Sequence, residues 1–403
     1  MTKRLKKQAK PVVFLGLVIG CALIVSGVLG LSGHLNNQEA IKSKKKNQVS
    51  ETKTNSSSQN KSDQKMPKMT LEQKVGQLFM TGMPANNYDQ ATFDAIEKYQ
   101  VGSIILTGRS NLSIPEMKDI TDKLQGLAPA NRRLLISCDQ EGGNVQVLQG
   151  AGFSEMPNGL TQGSWAPEKL QEEAKNWGSE LSAAGINFDL APVADQVLSA
   201  DFAPQNAPIG YWSRQYAYDK ANIVSHADAF SKGMKSAGVL TTAKHFPGLG
   251  AVTGNTDISA GVRDGQTNPK SESVQIFKEL ISSGVPSIMT ATAIYDQIDL
   301  ELPGAFSPKM VDGLLRNQLD FDGLVITDDL SNAVQVQAWS PGQRAVLALA
   351  AGNDLVLANE PTQIPEMISE VLQKAKSDQE FAEKINQASS RVMKVKEQMK
   401  LVE

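Results

Sequence analysis

The feature that most restricts this chain is a repeat: eight short apolar runs, each followed by an amphipathic stretch. The runs are VGQLFM from Val75, VGSIIL from Val101, LLISC from Leu134, INFDL from Ile186 and GVLTTA from Gly238. SIMTA from Ser287, GLVI from Gly323 and DLVLA from Asp354 complete the set. They are short and bounded by glycine or polar residues, as strands buried on both faces of a parallel sheet are. Between them apolar residues recur at helical spacing. Ala174, Trp177, Leu181 and Ala184 form one such stripe, with charges between them. Eight strand–helix units over residues 67–403 predict an α/β fold, a single (β/α)8 TIM barrel. The competing architecture, a doubly wound sheet, usually carries GxGxxG near its start. Here the glycines of PGLGAVTG sit in mid-chain.

The segment ahead of the repeat has a different composition. Five basic residues, Lys3, Arg4, Lys6, Lys7 and Lys10, precede an apolar stretch at 12–32. Roughly 20 apolar residues can cross a bilayer, and a basic flank stays in the cytoplasm. Residues 1–11 are therefore expected inside, 12–32 as a transmembrane anchor, and everything beyond outside the cell membrane. The alternative is a lipoprotein-type signal, because Val18-Ile19-Gly20-Cys21 resembles a lipidation box. Residues 33–66 are rich in Asn, Gln, Lys and Ser and read as a disordered linker, too poor in apolar surface to offset ordering entropy.

Charge follows the same division. Residues 1–66 hold twelve Lys/Arg against three Asp/Glu, so the net charge of -3 leaves the remainder at -12. An acidic body without a basic run argues against nucleic-acid binding. The three histidines are scattered and no HExxH is present, so no metal site is expected. Cys138 is the globular part's one cysteine and reads as a buried, inert thiol.

The ends of the apolar runs carry the chemistry. DQEGG (139–143) follows the third, APVAD (191–195) the fourth, KHFPG (244–248) the fifth and TDD (327–329) the seventh. In a barrel these meet at one rim, where active sites are built. Cleavage of a glycosidic bond needs a carboxylate near the anomeric carbon and a proton donor for the leaving oxygen. Asp328 directly follows an apolar strand that would aim it; read from position alone, a helix N-cap or a loop hydrogen bond is the readier role for it.

The stretch LLRNQ (314–318) followed by GLVITD (323–328) and Ser331 resembles the signature of glycoside hydrolase family 3. DQEGG, KHFPG, RQYAYD (214–219) and AGINFDLAPVAD (184–195) are similar to further motifs of that family, in the same order. The subgroup most resembled is the single-domain bacterial β-N-acetylglucosaminidases (β-N-acetylhexosaminidases). The resemblance implies Asp328 as nucleophile, with Asp139, Arg214, Lys244 and His245 contacting the sugar. It implies no cofactor.

The pattern departs at one place that matters. Relatives continue K-H-F-P-G-H-G with D-S-H, whose His is the acid/base; here the stretch is KHFPGLGAVTGNTD. Leu249 replaces one His, Asn255 stands for the Asp, and Asp257 stands for the catalytic His. A carboxylic acid can transfer the same proton if its pKa is raised. Asp257 is thus the candidate acid/base, with Asn255 orienting it as a hydrogen-bond donor. Asn144 and Thr292 stand where many relatives carry Arg and His. Trp212 and Trp339 lie near rim motifs, where sugar stacking and burial are equally open.

These readings converge on a retaining exo-glycosidase that removes non-reducing terminal β-linked N-acetylglucosamine or N-acetylhexosamine from cell-wall-type glycans. It would be a membrane-tethered monomer. The alternatives are β-glucosidase activity on the same barrel, and a non-catalytic glycan-binding surface protein with a degenerate acid/base loop.

Overall fold

A computed structural model describes residues 68–402. The expected anchor at 12–32, with Cys21, and the linker at 33–66 lie outside the described residues. Among the described residues no helix is long and apolar enough to cross a membrane.

Eight parallel strands carry the fold: β1 Phe79–Pro84, β2 Ser103–Thr107, β3 Leu135–Cys138, β4 Phe188–Asp189, β5 Ala243–Phe246, β6 Ser287–Thr290, β7 Leu324–Thr327 and β8 Val356–Ala358. One sheet runs β8–β1–β2–β3–β4 and ends on Leu240–Thr241, which leads into β5 past Thr242 alone. The other runs β7–β6–β5. Parallel bridges join Val193 to Lys244 and Ile326 to Leu355, so β4 connects to β5 and β7 to the entry of β8. The result is an α/β fold with a parallel sheet.

Each strand leads to a helix, from Gln90–Tyr99 after β1 to Ile364–Ser377 after β8, and the long helix Gln379–Gln398 follows. The helices show why these stretches fold as they do. Pro167–Ala183 has Pro at its start and buries Ala174, Trp177 and Leu181 of the stripe read from spacing, with Leu170 beside them and Ala184 buried at its C-cap. Lys309–Gln318 is wound more widely, with Gly313 N–H donating to the Pro308 carbonyl and Leu319 N–H to that of Leu314. The strands β3, β6 and β7 are buried throughout. Each fully buried Leu, Ile or Phe there contributes about 1.5–3 kcal/mol. Cys138 is buried, and burial pushes its thiol up.

One expected strand is shifted. The run from Val75 begins as a helix, Leu71–Gly76, and β1 starts only at Phe79. The cause is local: Thr70 and Gln73 form a reciprocal capping box that opens a helical turn. That signal outweighs the apolarity of Val75 and Leu78, which are buried all the same.

Candidate active site

The loops after the strands surround a cleft of about 540 Å³. Asp139, Arg214, Lys244, His245, Asn255, Asp257 and Asp328 all line it. Residues separated by up to 189 positions in the chain, Asp139 and Asp328 at the extremes, thus share one cavity.

The floor is a closed set of ion pairs. Lys244, on β5, places Nζ 2.6 Å from Asp139 Oδ1 and 2.6 Å from Glu141 Oε1. Arg214 grips both Glu141 oxygens, Nε to Oε2 at 2.8 Å and Nη2 to Oε1 at 2.7 Å, and donates from Nη1 to the Pro208 carbonyl. Lys244 is only 2% exposed. Burial would raise the Glu141 carboxyl, but Arg214 and then Lys244 reverse this and hold it at about 2. Burial would lower the Lys244 ammonium, yet Asp139 and Glu141 hold it above its ordinary range. The turn that delivers Glu141 needs its glycines. Gly142 and Gly143 have φ of 103° and 57°, and a Cβ on Gly142 would meet the Pro157 carbonyl oxygen at 2.3 Å.

His245 is fixed from behind. Asp195 Oδ2 lies 2.7 Å from His245 Nδ1, and Asp195 Oδ1 accepts from the backbone N–H of Leu249 at 2.7 Å. A carboxylate on Nδ1 selects the tautomer protonated there and turns Nε2 to the cleft. Leu249, where relatives carry His, is buried and lines the cleft.

Asp328 and Asp329 follow β7 and have opposite surroundings. Asp328 donates its backbone N–H to the Thr290 carbonyl of β6 at 3.0 Å. Its Oδ1 accepts from the Asp329 amide at 2.9 Å, and Oδ2 has no hydrogen-bond partner among the described residues. Asp329 is spent on structure: Oδ1 accepts from Ser331 and from the Asn359 amide, Oδ2 from the Asn332 amide.

Asp257 is held on the loop after β5. Burial, and next the Asp328 carboxylate, push its carboxyl up to about 6, against the pull of His245 and Arg214. The residue as a whole is open to water. It lines the cleft together with Asp328, and that shared cavity is where its carboxyl is raised. Asn255 does not donate to it. The bond runs the other way, from the Asp257 backbone N–H to Asn255 Oδ1 at 2.9 Å, so Asn255 shapes the turn rather than aiming the carboxyl.

This loop is tied to the one after β7. Val334 N–H donates to the Asp257 carbonyl and Gln335 N–H to the Thr256 carbonyl, each at 3.1 Å. The Gln335 side chain adds two bonds, accepting from Val262 N–H at 2.9 Å and donating to the Val262 carbonyl at 3.1 Å.

Sequence reasoning assigned no role to Glu141, Asp195 or Gln335. Glu141 lies inside DQEGG, and two buried cations, Arg214 and Lys244, demand an anion between them. That demand was the available signal. Trp212 lines the cleft, whereas Trp339 packs edge-on against Phe306, 5.3 Å between ring centres. Arg109, from the loop after β2, donates to the Asn144 carbonyl at 2.8 Å, bringing a guanidinium to the position where the sequence lacks one. Thr292 is buried away from the cleft lining. No cluster of residues suited to hold a metal occurs among the described residues.

Comparison with known proteins agrees with this geometry. Residues 70–395 match the glycosyl hydrolase family 3 N-terminal domain. A β-hexosaminidase of Hydrogenovibrio crunogenus is 32% identical over 316 residues, covering 75% of this chain and 85% of its own length. The crystal structure of a β-N-acetylhexosaminidase from Beutenbergia cavernae is 48% identical with a TM-score of 0.81, covering 82% of this chain and 99% of that one. A family 3 β-N-acetylglucosaminidase from a Paenibacillus species is 29% identical with a TM-score of 0.76, covering 83% and 63%.

Proposed function

We propose that this chain, which belongs to glycosyl hydrolase family 3, is a retaining exo-glycosidase for terminal β-linked N-acetylhexosamine. Its relatives in sequence and structure carry the names β-hexosaminidase and β-N-acetylhexosaminidase, which supports the sugar. The two sheets are read as one (β/α)8 barrel, supported by the bridges at Val193–Lys244 and Ile326–Leu355.

The observation that carries the mechanism is the pairing of Asp328 with Asp257 in one cleft. Asp328 has a free oxygen, and the neighbouring carboxyl is raised to about 6 partly by Asp328 itself. Two carboxyls driven apart in acidity divide the labour of nucleophile and acid. Asp328 Oδ2 attacks the anomeric carbon while protonated Asp257 gives its proton to the leaving oxygen, and the glycosidic bond breaks. Asp257, now a carboxylate, takes a proton from water. That water attacks the glycosyl–Asp328 ester, freeing the sugar and both carboxyls. Lys244, Asp139, Arg214 and His245 Nε2 hold the sugar hydroxyls through this cycle.

Cell-wall glycan as substrate and an extracytoplasmic position follow from the anchor expected at 12–32. The position is tested by protease accessibility of the domain on intact cells, and the substrate by release of N-acetylhexosamine from isolated cell-wall glycan. The nucleophile is tested by incubation with a 2-deoxy-2-fluoro glycoside. A stable adduct on the peptide carrying Asp328 is expected, and Asp328→Asn should lower kcat by about 10⁴-fold or more. An adduct on another residue would overturn the assignment.

A further inference from the structure

Among the described residues seven large apolar side chains are exposed, from Tyr88 to Val334. Every one lies on a loop that leaves the C-terminal end of a strand, the same face that holds the cleft. Trp212 is the one of the seven that lines the cleft.

Depth separates Trp212 from the ion-paired floor. Lys244 is 2% exposed, whereas Trp212 is 43% and Tyr211 61% exposed. An enzyme acting on chain ends seats the terminal ring on the floor, so whatever lies at the mouth meets the leaving group. The two rings meet edge to face, 4.9 Å between centres at 81°. Tyr211 thus braces the indole, and Trp212 still keeps 43% of its surface open. An aromatic face suits the C–H face of a pyranose, as an apolar surface with a partial negative charge.

The platform is built rather than loose. Tyr211 N–H donates to the Asn206 carbonyl at 3.0 Å, and Trp212 N–H to the Ile209 carbonyl at 3.2 Å. Asn206 is fully buried; its Oδ1 accepts from Gly210 N–H at 2.7 Å. Its Nδ2 donates to the carbonyls of Leu249 and Val252, at 2.8 and 2.7 Å. One amide therefore fixes the aromatic pair to the loop that bears Asp257. Two residues on, Arg214 is locked to Glu141.

We infer that Trp212, braced by Tyr211, is the leaving-group subsite and takes a second pyranose ring. The preferred substrate is then a β-linked N-acetylhexosamine disaccharide or longer glycan rather than a glycoside of a small alcohol. This rests on the glycosidase reading above.

The test compares two substrates in the full-length protein. One is the β-1,4-linked N-acetylglucosamine disaccharide. The other is N-acetylglucosaminyl fluoride, whose leaving group occupies no ring subsite. Trp212→Ala is expected to lower kcat/KM about tenfold on the disaccharide and to leave the fluoride nearly unchanged. Trp212→Phe, which keeps a ring, should recover most of the loss. Equal losses on both substrates, or no loss on either, would overturn the subsite. Tryptophan fluorescence keeps the two claims apart. Quenching by the disaccharide that Trp212→Phe abolishes would support the subsite even if the wild type cleaved neither substrate. That last outcome would instead sink the glycosidase reading.

Discussion

The floor of the cleft and the loop above it solve opposite electrostatic problems. On the floor, Asp139, Glu141, Lys244 and Arg214 cancel one another's charge within 2.6–2.8 Å, and each acid there has a cation. On the loop, Asp257 has no ion pair among the described residues and faces another carboxylate, Asp328. The floor is a finished structure with charges frozen on. The loop is a site where charge is costly and a proton is easily kept. Binding needs the first arrangement and proton transfer the second.

The comparison breaks most severely if Asp257 is changed. Asp257→Asn should lower kcat on a glycoside with a poor leaving group by about 10²–10⁴-fold, and far less on an activated aryl glycoside. In the wild type the basic limb of kcat/KM should fall near pH 6, because the raised acid loses its proton there. The variant should lack that limb. The sign for stability runs with it. The folded protein holds this proton more tightly than the unfolded chain, whose aspartates titrate near about 3.9. Asp257→Asn should therefore raise Tm at pH 8 and leave it unchanged below about pH 4. A loss of activity independent of the leaving group would separate Asp257 from proton transfer.

Glu141→Ala attacks the floor instead. Two buried cations would lose their shared anion, at a cost of about 3–5 kcal/mol, seen as a lower midpoint in urea unfolding. Here the pH sign is reversed. Glu141 titrates lower in the folded protein than in the unfolded chain, so its stabilisation is present above the ordinary glutamate range. It should vanish as pH falls through about 2. Glu141→Gln should flatten that acid limb.

The smallest effect sharpens the contrast. Gln335→Ala removes both side-chain bonds to Val262 and loosens the Asp257 loop without touching the floor. We expect kcat on a poor leaving group to fall about tenfold while KM changes little. The basic limb should move below pH 6 as the Asp257 carboxyl drifts from Asp328. An unchanged limb with a raised KM would mean that Gln335 serves binding alone.

The sequence disclosed what is local and hid what is reached across the fold. Asp328, Lys244, His245 and Asp139 each follow an apolar run, so the period of the repeat alone brings them to one rim. Asp257 was found as the replacement at a motif position. Glu141 and Asp195 stood in the same motifs, but their meaning depends on Arg214 and His245, which come from other strand–helix units. Asn255 was given the wrong direction because a side-chain amide both donates and accepts, and only the turn geometry decides. The Val75 run was misphased because the Thr70–Gln73 capping box draws Val75 and Gly76 into a helical turn, leaving Phe79 and Met80 to open the strand.

The four bonds that sew the β5 and β7 loops together reach beyond positioning. A proton donor on a hinged flap must swing in for every turnover, so the opening rate sets a ceiling on throughput. Here the loop bearing the proposed donor, Asp257, is bonded at four points to the loop that follows the proposed nucleophile, Asp328, so a swing of the first must break contacts with the second. Opening it would cost those contacts on each cycle, a loss that a freely hinged flap does not incur.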